Sequence, residues 1–200
     1  RVPAAAGLGG GSADAAAALS AADRVLRGRG AALAGAQLDE LAAQLGSDVP
    51  ALRARRAVHV SGRGERLAPM TMPALSLVIA FLGAASTQAA YQAARPAEWS
   101  DGARVRELVA VIESGQPPPD ELLGSALEAP ALRVNVALAD AAARLRTLTT
   151  SRMWHLTGSG GAYFTVMGGA EAARELADRL RAAGVMARAT MTIGVLAGAR

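Results

Sequence analysis

Three short segments carry residue types and spacings suited to chemistry. Residues 3–12 place Gly7, Gly9, Gly10 and Gly11 within five positions and end on Ser12. Glycine permits positive φ and lets backbone N–H groups approach a ligand closely. The helix start expected to follow adds unpaired N–H donors and a partial positive charge. Together these make an anion site, most often for phosphate. Ser12 is expected to cap that helix, and its hydroxyl can reach a phosphate oxygen or a magnesium ion. Asp14, expected in the first helical turn, suits the dipole there. The loop is not a Walker A motif, because Ser12-Ala13 stand where that motif needs Lys followed by Ser or Thr. It is not a dinucleotide fingerprint either, since no acidic residue follows a second strand at the required distance.

The second segment is Gly46-Ser47-Asp48-Val49-Pro50. An Asp in such a turn commonly acts as an Asx-type cap. Phosphoryl transfer also needs a group to orient or deprotonate the attacking hydroxyl, and Asp48 is the best base on offer. The third segment is Gly158-Ser159-Gly160-Gly161, between two expected strands. It suits a hairpin turn, and it also lets a backbone approach phosphates.

The elements that must position these segments follow from pattern. A helix is expected from Ser12 to about Leu26, ending near Gly28. A second spans about 37–45, with Leu38, Leu41 and Leu45 at helical spacing. Residues 56–61 alternate as a strand, turned by Gly62-Arg63-Gly64. Pro69 and Pro73 bracket a linker, taken as a domain boundary. Leu75–Leu82 reads as a buried strand. Helices are expected at about 87–94, 101–114, 120–127 and 131–147. The chain then reads strand (152–157), glycine turn, strand (162–167), helix (169–183), strand (185–193). That order suits an α+β sandwich with an antiparallel sheet. The glycine loop has no strand before it, so the chain is expected to begin inside a domain.

Composition excludes several functions. There is no cysteine, so no disulfide or thiolate-bound metal. All 21 basic residues are arginine, so no lysine clamps a phosphate or acts as a base. The +4 charge raises the question of nucleic acid. The arginines are scattered, however, and a base-stacking surface needs aromatics beside them. Aromatics form only 3% of the chain, so no nucleic-acid partner is expected. No apolar run reaches the ~20 residues of a membrane span. No secretory signal is present, so a cytoplasmic protein is the expectation.

The three segments in this order resemble the GHMP kinases, the superfamily of galactokinase, homoserine kinase, mevalonate kinase and phosphomevalonate kinase. Pro3-Ala4-Ala5-Ala6-Gly7-Leu8-Gly9-Gly10-Gly11-Ser12-Ala13 is similar to its phosphate-binding motif. Leu45-Gly46-Ser47-Asp48-Val49-Pro50 and Gly62-Arg63-Gly64-Glu65 narrow the resemblance. They point to the branch that phosphorylates a cytidine diphosphate-linked polyol in non-mevalonate isoprenoid biosynthesis. Leu156-Thr157-Gly158-Ser159-Gly160 resembles the third motif. The resemblance implies a two-domain fold. Residues 1–72 would be the remainder of a ribosomal-S5-like ATP-binding domain, and 73–200 a ferredoxin-like C-terminal domain. It implies ATP and Mg2+, with Pro3–Ala13 on the ATP phosphates and Ser12 as a metal ligand. Asp48 would be the catalytic aspartate, and Thr87 and Tyr91 would contact the cytidine substrate. Gly158, Ser159 and Gly160 would close on the phosphate side. The family's lysine beside the aspartate has no counterpart here, so these 200 residues are expected to turn over slowly. A segment usually reading Asn-Asp-Leu-Glu stands as Ser125-Ala126-Leu127-Glu128. Two alternatives stay open: another small-molecule kinase of the superfamily, of homoserine or mevalonate type, and a non-catalytic binding module. Monomer and homodimer are equally compatible with the sequence.

Overall fold

A computed structural model describes residues 3–192. The chain divides into two compact units: Gly9–Met72, and the residues up to Leu8 together with Pro73 onward. Residues 3–8 were expected with the first unit. The structure joins them to the second, where the Ala5 carbonyl accepts the Ala85 N–H at 3.1 Å.

The first unit holds α1 (Gly10–Gly28), α2 (Gly35–Leu45), α3 (Val49–Ala54) and the hairpin β1 (Val58–Ser61) and β2 (Arg66–Pro69). Gly10 and Gly11 are helical, contrary to the expectation that the glycine run lies outside the helix. Gly9 is the cap, at φ 68°, so Ser12 stands inside the first turn and caps nothing. Only glycine reaches that left-handed backbone cheaply, which moves the helix start upstream. Asp14 consequently lies beyond the first turn. At α2 the Gln37 side chain accepts the Ala34 N–H at 2.9 Å, one half of a capping box. The helix α3 was not expected. Pro50 near its start has no N–H to lose there. Ala16, Ala42 and Val49 pack the three helices into one small apolar cluster.

The second unit runs β3 (Ser76–Phe81), α4 (Thr87–Ala93), α5 (Ala103–Glu113), α6 (Glu128–Val134), α7 (Val136–Leu148), β4 (His155–Leu156), β5 (Ala162–Met167), α8 (Ala170–Ala182) and β6 (Met186–Met191). The sheet order is β4-β5-β3-β6, antiparallel throughout. This is the ferredoxin-like split order, with added helices between β3 and β4. Val78 and Ala80 of the central strand are fully buried. Leu138, Ala142 and Leu145 of α7, and Ala173, Leu176, Ala177 and Leu180 of α8, enter the same cluster.

Two expected helices differ. Residues 120–127 form only a single 3-10 turn at Asp120–Leu122. The span 131–147 is broken at Asn135, which leaves helical geometry and accepts the Leu138 N–H at 3.0 Å through its side chain. Asn competes well for such a cap. Of the expected strand 152–157, only two residues pair, and residue 193 lies outside the described residues. No helix among the described residues is long and apolar enough to cross a membrane. Replacing Asn135 by Ala is expected to cost about 1 kcal/mol, the usual value of such a cap, read by urea unfolding at unchanged m.

Candidate phosphate-binding site

In the second unit, the first half of the glycine loop lies on the turn between β4 and β5. A side chain at Gly7, at φ 71°, would meet the carbonyls of Thr157 and Gly160 at 2.4 and 2.5 Å. One at Gly161, at φ 103°, would meet the Ala5 carbonyl at 2.4 Å and the Ala6 Cα at 2.6 Å. Backbone therefore packs on backbone, and no larger residue fits. Thr157 Oγ1 lies 3.1 Å from the carbonyls of both Ala6 and Ala162. The Leu82 N–H donates to Gly161 at 2.8 Å. Expected site residues Pro3 to Leu8 and Gly158 to Gly160 thus belong to one assembly. Thr87 joins it, with its hydroxyl 2.7 Å from that of Ser159. Tyr91, one turn along α4, is 57% exposed and free to stack on a ring. The β4–β5 connection is a hairpin turn, as the glycine pattern of residues 158–161 suggested.

The first unit holds Gly9 to Ala13 and Asp48. The Ala13 N–H makes the first helical bond, to Gly9 at 2.8 Å. The N–H groups of Gly10, Gly11 and Ser12 precede it and have no acceptor among the described residues. A side chain added at Gly11 would meet nothing within 4 Å. Three free donors, an open approach and the positive end of a 19-residue helix fit a phosphate group. The Ser12 hydroxyl also lacks a protein partner among the described residues. Magnesium held mainly by phosphates needs only one or two protein ligands. Among the described residues no cluster of three or more His, Asp or Glu could hold an ion by itself.

Asp48 caps α3 by position, but its side chain makes no cap hydrogen bond. The Asx-cap expectation therefore fails, and the exposed carboxylate has no partner among the described residues. Its backbone is held instead. Val49 and Pro50 are buried beside it. A side chain at Gly64, at φ 114°, would strike the Ser47 carbonyl at 2.0 Å, so the β1–β2 turn abuts the residue before Asp48. Glu65 braces that turn by accepting the Arg63 N–H at 2.7 Å. Its own N–H and that of Arg63 hold its carboxyl below the usual carboxylate range, helped by the charges of Arg66 and Arg63.

The segment Ser125–Glu128 received no site role from the sequence. Ser125 Oγ donates to the Gly158 carbonyl at 2.6 Å. Glu128 accepts the Tyr163 hydroxyl at 3.1 Å and pairs with Arg146, whose guanidinium lies 5.4 Å from the Tyr163 ring centre. Burial, then the Glu128 charge, pushes the Tyr163 hydroxyl well above its ordinary range, so it remains a donor. The only sequence signal was the resemblance of this segment to a family motif.

Residues 1–53, which include the glycine loop and α1, match the family model described as GHMP kinases N terminal domain. A crystal structure of 4-(cytidine 5'-diphospho)-2C-methyl-D-erythritol kinase is 35% identical, with a TM-score of 0.74, over 96% of this chain and 68% of that one. The 4-diphosphocytidyl-2-C-methyl-D-erythritol kinase of Thermus thermophilus is 36% identical over 187 residues, 92% of this chain. The chain belongs to the 4-diphosphocytidyl-2-C-methyl-D-erythritol kinase family. It spans 64% of the length of the Thermus relative. Homoserine kinase from Cytophaga hutchinsonii shares the fold alone, at 16% identity and a TM-score of 0.64, over 97% of this chain and 68% of that one.

The glycines separate by role. Gly161→Ala is expected to destabilise by more than about 1 kcal/mol, since both space and φ forbid a side chain. Gly11→Ala is expected to stabilise by about 0.5–1 kcal/mol, as an ordinary helical position. Thermal unfolding of the two variants checks both signs.

Proposed function

We propose that this protein transfers the γ-phosphoryl group of ATP to the 2-hydroxyl of 4-diphosphocytidyl-2-C-methyl-D-erythritol, a step of non-mevalonate isoprenoid biosynthesis. The observation that carries the reading is the start of α1: a left-handed Gly9 followed by three N–H groups with no acceptor among the described residues. It occurs in a chain about 35% identical to a kinase of that name.

The acceptor is a tertiary alcohol and a poor nucleophile, so catalysis rests on alignment and charge stabilisation. The N–H groups of Gly10, Gly11 and Ser12 hold phosphate oxygens. Their orientation is fixed before the ligand arrives, so little reorganisation is needed. Ser12 is the side chain here suited to magnesium, which would neutralise phosphate charge when bound. Asp48 accepts or orients the proton of the attacking hydroxyl. Exposed and without a partner among the described residues, the carboxylate is available for that work. Thr87 and the Tyr91 ring contact the cytidine-bearing substrate.

In the complete gene product, Asp48→Asn is expected to lower kcat by about 10²–10⁴-fold with folding unchanged, the range for loss of a general base. Activity within a few-fold of the unmutated protein would remove Asp48 from the role. Tyr91→Ala is expected to raise KM for the cytidine substrate by roughly tenfold or more, as loss of base stacking does, with KM for ATP unchanged. Gly11→Ala is expected to weaken ATP binding, measured by calorimetry, despite its gain in stability.

A further inference from the structure

The turn between β4 and β5 has a central peptide with two possible directions. The Gly160 N–H donates to the Thr157 carbonyl at 3.0 Å, closing a four-residue turn. Gly158 has φ 51°, whereas Ser159 is not among the residues of positive φ. Positive φ at the first central position alone is the pattern of a type II′ turn. Types I′ and II′ differ chiefly by a flip of the peptide between the two central residues. Here that peptide joins Gly158 to Ser159. In a trans peptide the carbonyl and the N–H point in opposite directions. The flipped form would need positive φ at Ser159, which a side chain resists. That preference for one direction of the Ser159 N–H is reinforced by the group that holds the Gly158 carbonyl.

Ser125 holds it. Its hydroxyl donates to that carbonyl at 2.6 Å. The same oxygen accepts the Leu127 N–H at 3.1 Å. The hydroxyl has a single proton, so accepting from Leu127 and donating to Gly158 fixes its rotation. Beyond the peptide, the Ser159 side chain is tied to Thr87 at the start of α4, at 2.7 Å. Ser159 is buried, and its N–H has no acceptor among the described residues. A buried N–H left unpaired costs stability unless a ligand supplies the acceptor.

We infer that Ser125 is a positioning residue: it fixes the Gly158–Ser159 peptide so that the Ser159 N–H donates to a phosphoryl oxygen of a bound ligand. The inference rests on the kinase reading above and extends it to a side chain that never touches the ligand. The oxygen belongs either to ATP or to the diphosphate of the cytidine substrate, and the chemistry of recognition is the same.

The test follows the Ser159 amide by 15N NMR in the complete gene product during separate titrations with ATP and with CDP. Its proton is expected to move downfield with one of the two, which identifies the source of the oxygen. The response is expected to fall by more than half in Ser125→Ala and to return in Ser125→Thr, which keeps the hydroxyl. In turnover, Ser125→Ala is expected to lose about tenfold in kcat, less than removal of a whole donor. KM for the cytidine substrate should stay within twofold, with recovery in Ser125→Thr. A Ser159 amide insensitive to both nucleotides in the unmutated protein overturns the inference, even if Ser125→Ala does not fold. So does an equal response in Ser125→Ala. A normal amide response without phosphoryl transfer to the cytidine substrate overturns the proposed function and leaves the role of Ser125 standing.

Discussion

Close packing of bare backbone on bare backbone is the constraint on which the site depends. Gly7 and Gly161 leave no room for a Cβ, because carbonyl oxygens of the opposite segment occupy that space. Both sit at positive φ, which a side chain would resist independently. Residues 3–8 can lie against the β4–β5 turn only because Gly7 and Gly161 carry no Cβ where the two segments touch. Hydrogen bonds from Thr157 and Ala85 then fix the register of the contact.

Around that contact, side chains act mainly as braces. Thr87 ties α4 to Ser159, Ser125 ties the start of α6 to Gly158, and Glu128 ties α6 to Tyr163 in β5. The first unit uses the same device on a smaller scale. Gly64 brings the β1–β2 turn against Ser47, and the adjacent Asp48 keeps its carboxylate free. In both units one residue able to contact a ligand is held by several that are not.

Legibility in the sequence followed the range of the interaction. Strands β3 and β5 and helix α8 were readable because local periodicity matches the buried face each presents. The break at Asn135 was hidden, since Ala131, Leu138, Ala142 and Leu145 keep a helical spacing across it. The helix start was misplaced because Ser12 is a good cap in general, yet Gly9 reaches a backbone that Ser12 does not need. The glycine loop and Asp48 were legible as residue types, though the exposure of the Asp48 side chain was not. Ser125 was illegible as a brace, because its partner lies 33 residues away and is a carbonyl, which every residue has.

The donors expected to grip phosphate are main-chain atoms, and this shapes the tolerance of the gene to mutation. A chain one quarter alanine, with arginine as its only strongly basic residue, is strongly biased in composition. Exchange toward alanine or arginine cannot delete a peptide N–H, which only proline lacks. It can add a side chain where none fits. Every glycine codon is one base change from an alanine codon and one from an arginine codon, the two residues this composition favours. The positions most exposed to that bias are therefore Gly7, Gly64 and Gly161, where even a single methyl group has no place to go.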